Sequence, residues 1–423
     1  MNIHSLRRPS AALVVAFVVL VVGCASPERR AAVPAQFVAE AEVYGFPTTG
    51  IRYFPRDAED VDLFEKDFVA SWARERAALH LPDGPLPPAA YLAISGGGDN
   101  GAFGAGFLKG WTETGTRPVF KLVTGVSTGA LIAPFAFLGS AYDDPLKAVY
   151  TAITLKDVAE PRSVLSAFFG DSLADTSPLY RLVKKSVTQE MLDAIGDEYE
   201  KGRILLIGTC NLDARRPVIW NITEIAATRN PKALELVHKI LMASAAIPGT
   251  FPPVMIDVHV GDKRYEEMHV DGGTANQVFV YPVASELAKL SKENDAIRQR
   301  TLYIIRNARL DPEWAQVDRR TLPIAMRAIS CLIQYQGIGD LYRTYTITRR
   351  DHVDYNLAYI PSSFQTPHTA DFDPTYMKSL YDLAHGMAVG GHLWEKHPPV
   401  LLSGEGDASA RARSLEPDDP APH

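Results

Sequence analysis

Two glycine-rich junctions constrain this chain most: Ser95-Gly96-Gly97-Gly98-Asp99-Asn100-Gly101 and, 29 residues on from Gly96, Gly125-Val126-Ser127-Thr128-Gly129. Each closes a short apolar run (residues 91–94 and 122–125), and each leads into small and apolar residues at helical spacing, 130–138 in the second case. A chain that turns twice from buried strand to helix in this way builds parallel strands joined by crossover helices. Further apolar runs at 204–207, 217–222 and 301–305 read as buried strands, with helical patterns between several of them. The expectation is an α/β fold with a mainly parallel central sheet.

Each junction also carries chemistry. Gly96, Gly97, Gly98 and Gly101 let backbone N–H groups face a cavity with no side chain in the way. The helix that follows points its positive end at the same place, where an oxyanion or a phosphate could be held. Gly96-x-Gly98-x-x-Gly101 also satisfies the dinucleotide fingerprint. The ribose-binding acid expected at the end of the next strand is missing, however, because that strand runs into Gly125-Val126-Ser127. No Gly-Lys-Ser/Thr follows, which excludes a P-loop. Gly125-x-Ser127-x-Gly129 matches a nucleophile elbow, with the Thr128 N–H a candidate oxyanion donor. A third segment, His269-Val270-Asp271-Gly272-Gly273, ends a strand in glycines. Its aspartate is either a turn initiator or a general base for the serine hydroxyl, and burial would raise its pKa toward that role.

In this order the three segments resemble the patatin-like phospholipase family. Asp175-Thr176-Ser177-Pro178-Leu179, Thr209-Cys210-Asn211-Leu212-Asp213 and Ala243-Ser244-Ala245-Ala246-Ile247-Pro248 are similar to its bacterial members, and the resemblance covers roughly residues 91–280. It implies a three-layer α/β/α domain that hydrolyses acyl esters of lipids through a Ser127–Asp271 dyad. The oxyanion hole would be the N–H groups of Gly97 and Gly98, joined by Thr128. The family's pattern usually has a basic residue where this chain has Asn100, and an Asp where it has Ser95. The missing cation removes a contact for a lipid phosphate and points toward neutral esters or lysolipids.

Two readings compete. A Ser–His–acid triad on an α/β-hydrolase would recruit a histidine, and His352, His368, His385, His392 and His397 all follow Asp271, while His269 shares its strand face. A catalytically silent binding module would have shed the nucleophile or the base, and both are present. No His, Cys and carboxylate set has metal-ligand spacing, so no metal or other cofactor is expected.

With 46% hydrophobic and 22% charged residues, the 423-residue chain can bury a sizeable core. Its net charge is −7 with no Lys/Arg cluster in its body, which argues against a nucleic-acid partner. At the N-terminus, Arg7 and Arg8 precede the apolar run 11–22. That run is shorter than the roughly 20 residues a membrane span needs, so it reads as an export signal. It ends Val21-Val22-Gly23-Cys24, which resembles the lipobox of bacterial lipoproteins. By that resemblance Cys24 carries the lipid anchor, and Ala25 rather than an acid after it favours the outer membrane, facing the periplasm. Loss of the two arginines would shift the charge by −2, to −9, so membrane attachment would come from acyl chains rather than net charge.

The expected organisation is a signal peptide at 1–23, a tether at 24–60, a hydrolase domain at 61–402 and a disordered tail at 403–423. Cys210, inside an apolar run, is expected to be a buried free thiol. The region 322–348 is helical in pattern and rich in apolar residues; such a stripe is usually core, but it could also wall an acyl groove or dock on a membrane.

Overall fold

The computed structural model describes residues 28–46, 50–81, 85–162, 171–391 and 394–399. The export signal, Cys24, His392 and the tail lie outside the described residues. The strands are β1 (Glu42–Val43), β2 (Arg52–Tyr53), β3 (Ala89–Ile94), β4 (Phe120–Val126), β5 (Glu160–Pro161), β6 (Ala174–Asp175), β7 (Ile204–Asn211), β8 (Arg216–Asn221), β9 (Val254–Val260), β10 (Lys263–Asp271), β11 (Arg300–Arg306) and β12 (Val353–Tyr359). One sheet of 10 strands runs β1-β9-β10-β7-β4-β3-β11-β12, with β8 also on β7 and β2 on β8. β5 and β6 form a separate pair.

The centre of the sheet, β7-β4-β3-β11-β12, is parallel throughout. Its strands are buried on both faces, which is why they read as continuous apolar runs in the sequence. Side chains alternate between two cores: Leu92 and Ile94 of β3 enter one, Tyr91 and Ala93 the other. The first core is closed by helices α2 (Gly101–Glu113), α3 (Thr128–Leu138), α4 (Ala233–Ser244) and α6 (Pro374–Val389). The second is closed by α1 (Ala58–Ala78), through Phe64, Phe68 and Trp72, and by the C-terminal half of α5 (Thr321–Arg350), through Leu341 and Ile347. The result is the expected helix–sheet–helix sandwich.

One expectation needs correction. Residues 28–60 are not a bare tether. β1 pairs with β9 and β2 with β8, while Val43, Phe46, Ile51, Tyr53 and Phe54 are buried. Arg29 forms an ion pair with Asp213 and Arg52 one with Glu267. Strands of two residues leave no period to read, so this segment looked featureless, yet the domain begins well before residue 61. The central sheet is mainly parallel, as expected, and continues at its flank into the antiparallel pairs β7–β10, β10–β9 and β7–β8. Cys210 is buried and free, as its apolar surroundings implied.

Candidate active site

The site is made where two strands meet end to end. β4 pairs with β7 up to Val126 opposite Gly208, and β10 takes over the same edge from the other direction, with Asp271 opposite Thr209. Ser127 follows the last residue of β4 and Asp271 is the last of β10, so consecutive residues of β7 hold them face to face. Ser127 has φ 55° and ψ −126°, a conformation costing a non-glycine residue about 1–3 kcal/mol. The elbow tolerates it because its flanks are glycines. A Cβ on Gly125 would collide with the Gly129 carbonyl, and one on Gly129 with the Ile94 carbonyl. The turn therefore folds tightly on itself and on β3. Ser127 N–H donates to the Ser244 hydroxyl at 3.0 Å, which donates in turn to the Gly208 carbonyl at 2.7 Å.

Asp271 is buried and accepts from Gly273 N–H at 2.7 Å. Burial raises its carboxyl to about 7, against the nearby Ser127 hydroxyl and the Gly273 N–H, which work to lower it. Its own N–H donates to the Ala246 carbonyl at 2.9 Å, which gives the 243–248 segment a reason to accompany the elbow. Gly272 lies against the Gly208 carbonyl, where a Cβ would not fit.

The glycine loop closes over the pair. A Cβ on Gly96 would touch Ser127 Cβ at 3.1 Å, so the loop backbone lies directly beside the candidate nucleophile. Gly97 packs against the Asn307 carbonyl with no room for a side chain, and Gly98 opens on free space at φ 59°. Among the described residues, neither Gly97 nor Gly98 N–H has a hydrogen-bond acceptor. Gly101 starts α2 beside Thr128 and Tyr150, and the Thr128 hydroxyl hydrogen-bonds the Tyr150 hydroxyl at 2.5 Å. Asn100 accepts at its side-chain oxygen from the Tyr376 hydroxyl at 2.6 Å.

Sequence reasoning missed the residues that hold this loop. Asn307 donates from its backbone to the Ser95 hydroxyl and from its amide to the Ser95 carbonyl, each at 2.9 Å, and accepts from Gly104 N–H at 3.0 Å. Gln277 accepts from Gly96 N–H through its carbonyl at 3.1 Å and donates through its amide to the Gly273 carbonyl at 3.1 Å. The only signal for Asn307 was a buried amide one residue past an apolar strand.

Among the described residues, no histidine hydrogen-bonds to Ser127 or Asp271. His269 is fully buried between Thr209 Oγ1 on Nδ1 and Glu267 on Nε2, both at 3.0 Å. Trp220 Nε1, a donor only, gives its proton to Thr209 Oγ1 at 2.8 Å. The Glu267 carboxylate can only accept, so it takes Nε2–H, and in the neutral imidazole Nδ1 is then left to accept from the Thr209 hydroxyl. Burial favours a neutral Glu267, but the Arg52 charge and the His269 hydrogen bond overcome it and hold the carboxyl at about 2. Both nitrogens of His269 are spent on the scaffold of β10. His368 Nε2 is likewise engaged with Asp99 at 2.7 Å, and His385 with Glu113 at 2.8 Å. No three His, Cys, Asp or Glu among the described residues could together hold a metal ion.

Residues 92–284 match the model of the patatin-like phospholipases, and with this helix–sheet–helix fold the match supports a lipid acyl hydrolase. No curated protein matches the sequence. Similar solved structures include VipD from Legionella pneumophila, 12% identical over 73% of this chain and 68% of that one, at TM-score 0.36. Human GIVD cytosolic phospholipase A2 is 12% identical over 68% of this chain and 52% of its own, at TM-score 0.29. The type III effector ExoU is 14% identical over 74% and 55%, at TM-score 0.26.

Proposed function

We propose that this chain hydrolyses lipid acyl esters through Ser127 and Asp271 without a histidine. The observation that carries the reading is the end-to-end meeting of β4 and β10, which sets the Ser127 hydroxyl against a buried carboxyl poised near neutrality. As Ser127 Oγ bonds to the ester carbonyl carbon, its proton passes to Asp271. The carbonyl oxygen becomes an oxyanion facing the N–H groups of Gly97 and Gly98, with the N-terminus of α3 adding positive potential. Collapse breaks the bond to the leaving oxygen, which takes the proton from Asp271. Water then attacks the acyl-serine, giving a proton to Asp271, which returns it to Ser127 as the fatty acid leaves.

Only ionised Asp271 can accept the serine proton. With its carboxyl at about 7, kcat/KM for a soluble ester should fall about tenfold per pH unit below that value and be level above it. A profile flat from pH 5 to 8 would exclude Asp271 as the base.

We further infer that the protein is a lipoprotein of the bacterial envelope, anchored through Cys24 in the outer membrane. Support comes from Val21-Val22-Gly23-Cys24 after a short apolar run. Cells fed labelled palmitate should label the wild-type chain and leave Cys24→Ser unlabelled and unprocessed. Equal labelling of the two chains, or none of either, would reject the anchor.

A further inference from the structure

The N-terminal half of α5 is turned inside out. Its C-terminal half buries Leu341, Thr344 and Ile347 in the core, but Leu322 (56%), Ile324 (50%), Leu332 (69%) and Tyr335 (66%) stand exposed, beside Trp314 (87%) in the preceding loop. The polar stripe of this half is Arg327, Ser330 and Gln334, at helical spacing. Two of these turn to the protein: Arg327 donates to the Glu313 carbonyl, and Gln334 donates to the Arg309 carbonyl at 3.0 Å, while Ser330 is exposed. The large apolar side chains Leu322, Ile324, Leu332 and Tyr335 point to solvent.

We propose that this half-helix, with Trp314, docks on an anionic lipid surface. An ordinary surface helix shows its polar face to water; one with the reverse pattern is matched to a medium of acyl chains, and a contiguous exposed apolar patch marks a docking site. A protein partner would cover one stripe, whereas immersion in the outer layer of a membrane covers all the apolar sides together. Charge agrees. Arg319 and Arg320 stand at the start of the helix, Arg320 paired with Asp318 at 2.5 Å, and no acidic residue follows before Asp340, so the helix itself carries no charge that opposes phosphate headgroups. No helix among the described residues is long and apolar enough to cross a membrane, so the contact is interfacial.

The same helix is fixed to the active site. Buried Asp340 accepts from Gln277 N–H at 2.6 Å and from the Asn276 amide at 3.1 Å, within the segment that runs from Asp271 to the Gly96 loop. Docking here therefore engages a helix bonded directly to the segment that follows Asp271. The choice of lipid over protein as occupant rests on the acyl-hydrolase reading, but binding itself needs no catalysis.

The test uses the chain from Ala25 onward, which carries neither the apolar export signal nor the acyl anchor, and vesicles of phosphatidylcholine and phosphatidylglycerol in equal parts. Leu332→Asp with Tyr335→Asp should lower the co-sedimenting fraction about tenfold or more while leaving the thermal unfolding midpoint unchanged. Brominated phosphatidylcholine in the same vesicles should quench Trp314 emission, and Trp314→Phe should remove that quenching. Ser127→Ala should bind vesicles like its parent, which separates docking from turnover. Vesicle binding unaffected by the two aspartates, or Trp314 left unquenched, would overturn the proposal. So would a wild-type dimer that the aspartates convert to monomer without changing vesicle binding.

Discussion

Ser127→Ala is expected to abolish ester turnover and labelling by a fluorophosphonate, and Asp271→Asn to lower kcat by about 10²–10⁴. The double variant should be no worse than Ser127→Ala alone, because the two residues act as a unit. Asparagine keeps the shape of the aspartate and still accepts from Gly273, so the loss isolates basicity from geometry. The same change should stabilise the fold at high pH. Burial holds the Asp271 carboxyl at about 7, far above its value in an unfolded chain. Folding therefore takes up a proton between roughly pH 4 and 7, and this contribution is full at low pH and lost as pH rises through 7. Asp271→Asn removes that dependence and should gain a few kcal/mol near pH 8 relative to wild type. An inactive variant with no gain would mean that the carboxylate is not held at a cost to stability. Replacing His269, His352, His368, His385, His392 or His397 singly should leave phosphonate labelling intact; a histidine as indispensable as Ser127 in a folded protein would replace the dyad with a triad.

The largest effect on stability is expected at Glu75, on α1. Its carboxylate receives both terminal nitrogens of Arg298 at 2.8–3.1 Å and the Lys121 ammonium at 2.8 Å, with both cations buried. Burial lowers the Lys121 ammonium to about 8, against the charge and hydrogen bond of Glu75 that hold it up. Glu75→Ala strands two cations in the second core, and should cost roughly 3–5 kcal/mol in denaturant unfolding. Lys121→Met leaves Glu75 still paired with Arg298 and should cost clearly less. Equal losses in the two variants would show that stranded charge is not the cause.

Four strands of the parallel centre, β3, β4, β7 and β11, were legible from their apolar runs, whereas β12 was not, because Asp354 and Asn356 interrupt its apolar pattern. The dyad residues were legible because an elbow and its neighbours demand glycine, which leaves a signature at fixed offsets. The hairpin of β9 and β10 was hidden for the opposite reason. Its inward-facing Glu267 and His269 are polar, and besides each other they are satisfied by Arg52 and Thr209, both distant in sequence. No local period reveals a pairing of that kind. Gln277, Asn307 and Ser244 were unreadable as site residues because their roles are backbone hydrogen bonds that exist only once the strands are in register. The 322–348 stripe divided in two, since one apolar helix served the core at one end and left the other end uncovered.

The head-on arrangement of β4 and β10 along β7 works like a caliper whose two jaws ride on one beam. The gap between Ser127 and Asp271 is set by adjacent residues of a single strand, Gly208 and Thr209, and not by the long stretches of chain that separate the two in sequence. Connections that touch neither residue, such as 228–232, can therefore lengthen, shorten or be exchanged without altering the reacting distance, while Ser244 and Ala246 must keep their places and a single-residue slip of β7 would open the gap. Substrate range can diversify in those connections while the chemistry stays fixed.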